Sequence, residues 1–303
     1  MLVSLGGVSS SHKHPTEAKE TKNLVALGFE LARRLDIKRV LVFAELLSDR
    51  RMVEKHRESE SILWVTYDKE AFEVDLGSKD SSVQIPANPV GRMDQVALAV
   101  IIAVMEGAIE VDESMVCLIG VAGSKRLDNM LLVNPKRDFD WFSKRSISKD
   151  DALPISQEFA RLIEIALKFA SEGREGKPIG TIFVLGDLEE LEEISRPLIL
   201  NPCKGHAKKF RNIHDSDFIE TMRELSALDG GFIIDRKGVV EAAGVYLDAP
   251  VTSKVKVPKG LGSRHLAAAA TTARTKSLAI VISESSGTVS VFWEGARVLS
   301  LGG

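Results

Sequence analysis

The chain predicts an α/β protein in two parts: an N-terminal open, mostly parallel α/β domain over residues 1–150, then a domain over residues 151–303 with a mixed central sheet flanked by helices. Three observations carry that expectation. Its 303 residues exceed the usual reach of a single hydrophobic core. In the first half, helical and strand-like apolar periodicities alternate, which is the pattern of a parallel sheet. In the second half, strand-like runs follow one another with few helices between them, which suits a mixed sheet.

Taken in order, residues 23–35 read as a helix with Leu24, Leu27, Leu31 and Leu35 on its apolar face and Arg33 and Arg34 opposite. Residues 39–43 form the strand it leads into. Residues 62–67 and 115–121 read as further strands, with a helix over 93–107 between them. The apolar run 96–105 in that helix is about half the length a membrane span requires, so it reads as a buried helix. Residues 79–92, with Pro86, Pro89 and Gly91, read as a loop. Residues 135–154 gather charges around Trp141 and Phe142 and read as a solvated connection holding the domain boundary. Ser156 then caps a helix that buries Phe159, Leu162, Ile163, Ala166, Phe169 and Ala170 and stops at Gly173. Residues 180–186 are a continuous β-rich run, followed by the acidic segment 187–193. Residues 232–234, 239–243, 279–282 and 288–293 are further strands, the first two joined by a turn at 236–238.

Composition narrows the class. Hydrophobic residues make up 44% and charged residues 27%, ordinary values for a soluble globular protein. A net charge of -3 gives no general attraction to nucleic acid or to an anionic membrane surface. Cys117 and Cys203 stand outside any Cys-x-x-Cys spacing and read as small buried hydrophobes in a reducing compartment. Residues 1–14 lack the basic leader and long apolar core of a signal peptide, so a cytoplasmic location is expected.

The segment Gly260-Leu-Gly-Ser-Arg-His265, running into four alanines, has the make-up of a phosphate-binding helix start. Gly260 and Gly262 permit a tight turn, Ser263 is a candidate N-cap, and the first free N–H groups carry the positive end of the dipole. Arg264 and His265 add charged donors there, which costs stability unless an anion sits nearby. Two acidic residues accompany the block. Asp229 precedes Gly230 and Gly231 at a strand start, where a carboxylate can reach a divalent metal; taken alone, Asp-Gly reads first as a turn. Glu284 lies at a strand end beside Ser283, and alone it reads as a polar hairpin tip. Residues 120–125 follow a strand but lack phosphate-loop spacing, and His265 stands where a dinucleotide fingerprint needs a third glycine. His12, His14, His206 and His214 read as solvated, the last two in or beside the basic stretch 204–211.

The blocks Leu228-Asp-Gly-Gly-Phe-Ile-Ile234, Gly260-Leu-Gly-Ser-Arg-His265 and Val281-Ile-Ser-Glu-Ser-Ser-Gly-Thr-Val-Ser290 resemble, in order and spacing, those of the diadenylate cyclase domain, the nucleotide-binding domain of DNA-integrity scanning proteins. The resemblance covers residues 155 to 300 and is supported by segments 176–187, 196–206 and 243–247. The first half resembles, more weakly, the pyruvate-kinase C-terminal-like domain of the archaeal type.

That resemblance implies condensation of two ATP into cyclic di-AMP and two diphosphates, by a homo-oligomer in which two such domains face each other. It implies that Asp229 and Glu284 hold Mn²⁺ or Mg²⁺ and that Asp229 helps activate the 3′-hydroxyl. Gly230 and Gly231 would admit the nucleotide, Gly262, Ser263, Arg264 and His265 would hold phosphates with Ser283 and Glu284 opposite, and Tyr246 and Leu247 would meet the adenine. The chain departs from the family pattern where Asp-Gly-Ala becomes Asp-Gly-Gly, where Thr becomes Ser263, and where the second arginine of Arg-His-Arg becomes Leu266. The alternative is a non-catalytic sensor of adenine nucleotide or cyclic di-AMP.

Overall fold

The computed structural model describes residues 15–68, 72, 79–86, 91–139, 157–258 and 260–302. Helix α1 (Pro15–Arg34) leads into β1 (Arg39–Phe43) as expected. Its buried stripe is Thr21, Val25, Phe29 and Ala32, whereas Leu27 and Leu35 are 53% and 50% exposed. The expected face was therefore rotated. The cause is Gly28, where Leu118 packs so closely that a Cβ would lie 2.8 Å from it, turning the Val25–Phe29 side onto the sheet.

Strands β2 (Ser61–Thr66) and β3 (Ser81–Gln84), helix α2 (Arg92–Met105), and strands β4 (Met115–Ile119) and β5 (Asn129–Val133) complete a five-stranded sheet of order β3-β2-β1-β4-β5. The first four strands are parallel and β5 runs antiparallel to β4. Strand β3 corrects the loop expected over 79–92. Val83 and Ile85 are buried and the strand pairs with β2, while the prolines and glycine that signalled a loop begin only at residue 86. The 120–125 segment is a strand-to-strand turn: Gly120 lies against the Arg126 carbonyl, and Gly123 has φ +78°. The connection with Trp141 and Phe142, the boundary near residue 150, the Ser156 cap, Pro89, His12 and His14 lie outside the described residues.

The second sheet has seven strands: β6 (Thr181–Gly186), β7 (Ser195–Pro197), β8 (Gly231–Asp235), β9 (Val240–Leu247), β10 (Leu278–Ile282), β11 (Val289–Trp293) and β12 (Ala296–Leu301). The order is β12-β11-β10-β6-β8-β9-β7, and only β6 and β8 are parallel neighbours. Helices α3 (Gln157–Glu172), α4 (Ser216–Leu225) and α5 (Ser263–Arg274) accompany it. Gly173, with φ +63°, ends α3 as its position suggested.

Strand alternation sorts the side chains into two layers. Phe183, Leu185, Phe232, Ile280 and Val291 join the cluster containing Phe159, Ile163 and Phe169 of α3. Ile182, Val184, Ile233, Val281 and Phe292 join Ala268 and Ala269 of α5. The small residues of α5 let it lie close on that face, and its N-terminus ends beside the loop after β10.

Candidate active site

A cleft of about 520 Å³ opens between the start of α5 and the end of β10, lined by Pro178, Gly262, Ser263, Arg264, His265, Ile282, Ser283, Glu284 and Ser285. The helix begins one residue earlier than expected. Gly262 is the cap, Ser263 is the first helical residue, and no side chain caps the helix. Ser263 is therefore not the N-cap; the His265 and Leu266 amides donate to Gly262 O, which leaves those of Ser263 and Arg264 for an acceptor in the cleft.

Arg264 does find an anion: its Nη1 lies 3.2 Å from Glu284 Oε2. That carboxylate is the nearby anion that offsets the cost of a cation at a helix N-terminus. Gly180, just before β6, makes room for the pair. A Cβ there would lie 2.7 Å from Glu284 Cβ and 2.8 Å from Arg264 Nη1. The loop carrying Glu284 is pinned by Ser283 N donating to Thr288 O and Gly287 N to Ser283 O.

His265 is 5% exposed, its ring edge-on to Phe292 with centroids 5.9 Å apart. Burial first, and the nearby Arg297 and Arg264 guanidiniums second, hold its pKa below the ordinary value of 6.5. The imidazole is thus a neutral donor at pH 7, correcting the charged donor expected from the sequence. Its Nδ1 is buried with no hydrogen-bond partner.

Asp229, Gly230, Gly231, Tyr246 and Leu247 do not line this cleft. Sheet register sets their relation to it. Phe183 pairs with Phe232 in parallel, so Gly180 before β6 and Asp229 before β8 lie at the same end of these strands. Thr181 pairs with Ile282, so Gly180 also stands beside Ser283. On the other side Gly231 pairs with Val245, and the Asp229 carbonyl oxygen lies 3.9 Å from where a Cβ on Gly244 would sit. Asp229, in the bend before β8, and Ser283, just after β10, therefore lie with Gly180 at the same end of the sheet. Asp229 is exposed. Leu247 is 7% exposed, so it offers that edge its backbone, and the Tyr246 ring is 44% exposed with the Arg196 guanidinium 4.5 Å from its centroid.

The two glycines answer first to the sheet. Gly230 has φ +100°, and a Cβ on it would lie 2.7 Å from the Val245 N and O atoms. A Cβ on Gly231 would lie 2.9 Å from Ile182 O. They permit close strand pairing, which is what brings Asp229 to the sheet end.

Among the described residues no group of three or more His, Cys, Asp or Glu side chains could cage a metal. Glu284 lies beside Gly180 and Asp229 precedes β8 at the same end of the sheet, as two separate carboxylates. Such a donor set fits Mg²⁺ or Mn²⁺, hard cations that take one or two protein carboxylates and complete their shell with phosphate oxygens and water. Gly180 and Arg297 escaped the sequence reading. A glycine directly before a buried strand is a signal that could have found the first, whereas Arg297 has no local motif.

Residues 168–297 match the family of DisA bacterial checkpoint controller nucleotide-binding domains. The chain is 38% identical over 173 residues to a diadenylate cyclase of Methanocaldococcus jannaschii, covering 57% of this chain and 54% of that protein, so it spans about half that relative's length. It is 30% identical over 227 residues to a diadenylate cyclase of Haloferax volcanii, covering 73% of this chain and 80% of that protein. A double mutant of DacA from Staphylococcus aureus matches at 21% identity with a TM-score of 0.31, over 50% of this chain and 90% of that one. With one relative at 30% identity aligned over 80% of its length, the chain belongs to the diadenylate cyclase family.

Proposed function

We propose that this protein condenses two ATP molecules into cyclic di-AMP. Each 3′-hydroxyl attacks the α-phosphate of the other nucleotide. A 3′-O–P bond forms, the bond from the α-phosphorus to the β-phosphate bridging oxygen breaks, and diphosphate leaves; the second, reciprocal step closes the ring. The observation that carries this reading is the uncapped start of α5, with Arg264 held on Glu284, at the end of the sheet where Asp229 precedes β8.

Phosphoryl transfer asks a protein mainly for positioning and charge neutralisation. The first-turn amides of α5 and the Arg264 guanidinium bind the phosphates, and neutral His265 donates a hydrogen bond without adding charge. Asp229 accepts the 3′-hydroxyl proton or holds it in a hydrogen bond during attack. Asp229 and Glu284 would together hold Mg²⁺ or Mn²⁺, which when bound neutralises developing phosphate charge and acidifies the attacking hydroxyl. Tyr246 and the Leu247 backbone bound the adenine side. Each chain holds one ATP, so the ring is completed by a second copy facing the first. We place the reaction in the cytoplasm, supported by two buried free cysteines and by the lack, among the described residues, of any helix long and apolar enough to cross a membrane.

The test is incubation with ATP and Mg²⁺ or Mn²⁺, followed by chromatography. A cyclic dinucleotide and two diphosphates per turnover are expected. Tight ATP binding without product with either metal would overturn catalysis in favour of a nucleotide sensor.

A further inference from the structure

The cationic side of the cleft is incompletely accounted for by Arg264, because Glu284 already occupies that guanidinium. Leu266, 41% exposed, stands where the family pattern has a second arginine. A different strand supplies one. Arg297 of β12 is the cross-strand partner of Phe292, and direct partners share a face of the sheet. Phe292 packs with α5 and touches the ring of His265, which lines the cleft. Arg297 therefore lies on the α5 face, one ring pair away from the phosphate-binding helix start.

Its surroundings are unusual for a half-buried cation. Among the described residues Arg297 has neither an ion pair nor a hydrogen bond. On the same face the Ser290 hydroxyl and His265 Nδ1 are both buried without partners. Two guanidiniums near a helix N-terminus against one carboxylate leave a net positive charge that only an incoming anion can balance. The same charge adds to the burial that keeps His265 neutral.

We propose that Arg297 is a further phosphate-binding residue, directed at the terminal phosphates of the nucleotide and replacing in function the cation absent at Leu266. The inference rests on the nucleotide-binding reading above, but not on turnover. A nucleoside triphosphate would be favoured over a monophosphate because only the former carries charge beyond the α-position.

The experiment is calorimetric binding of ATP and of AMP to the full chain without divalent metal, so that no turnover occurs. Loss of one charge-assisted contact is expected to weaken ATP binding about tenfold or more in Arg297→Ala and leave AMP binding within about twofold. Arg297→Lys should fall between, and Leu266→Arg on the Arg297→Ala background should recover ATP affinity. Melting curves of Arg297→Gln and Arg297→Lys separate a binding loss from a folding loss. Equal weakening of ATP and AMP, or unchanged ATP affinity in a folded variant, overturns the inference. Absence of cyclic product from the wild type with metal would instead overturn catalysis, and the ATP-over-AMP difference would still support Arg297.

Discussion

Asp229 and His265 occupy opposite extremes of exposure, and that contrast determines what substitution at each should do. Asp229 is exposed and belongs to no core cluster, so Asp229→Asn removes charge without leaving a void. Its melting temperature should match the wild type, since such surface changes stay within about 0.5 kcal/mol, while cyclic dinucleotide formation drops about a hundredfold or more. Chromatography and thermal melting check the two halves, and retained activity would remove Asp229 from the mechanism. His265 is buried and held neutral, primarily by burial and then by Arg297 and Arg264. The unfolded chain therefore binds the imidazole proton more tightly than the folded one. Its contribution to stability is present above the ordinary pKa of 6.5 and is lost as pH falls below that value. Wild-type melting should fall more steeply between about pH 7 and pH 5 than that of His265→Gln. Parallel curves would show that the imidazole is not linked to folding.

At the level of elements, the end of the sheet creates the site, and Gly180 is its tightest point. Gly180→Ala would push a Cβ against the Cβ of Glu284 and the guanidinium of Arg264. The guanidinium can swing away but the Glu284 Cβ belongs to a pinned loop, so the ion pair should separate at a stability cost of about 1–3 kcal/mol. ATP affinity should fall with it, and calorimetry against wild type reads the loss. Gly230→Ala is expected to be worse for folding, because φ +100° adds backbone strain to the contact with Val245. These close approaches link strands distant in sequence, which is why no local pattern revealed them. The helix at α5 and the strands around it were readable because glycine turns and β-rich runs are local signals. The rotation of α1 was not, since Leu24, Leu27, Leu31 and Leu35 form as good a stripe as the one that Gly28 and Leu118 select. Strand β3 was hidden by the prolines that follow it. The neutral state of His265 depends on Phe292 and Arg297, two strands away in the fold.

For the whole molecule, the site is half of what the proposed reaction needs. One sheet end offers one uncapped helix start and one Asp229, enough for one nucleotide, whereas a ring of two phosphodiesters requires two attacks in opposite directions. If each copy's Asp229 serves only the hydroxyl of its own nucleotide, a pair with one Asp229→Asn member can form the first bond but not close the ring. Mixing equal amounts of wild type and Asp229→Asn, then diluting and reconcentrating to randomise the pairs, tests this. Random pairing leaves about a quarter of pairs intact, so cyclic product should fall to about one quarter of the wild-type rate at equal total protein, with a linear dinucleotide accumulating. Independent single chains would give about one half and no linear product, because the inactive copies would merely dilute the active ones. Specific activity should also rise with protein concentration if pairing is reversible, since the active species then follows mass action. A rate near one half together with concentration-independent specific activity would mean that one chain completes the ring alone, and the face-to-face pair would have to be abandoned.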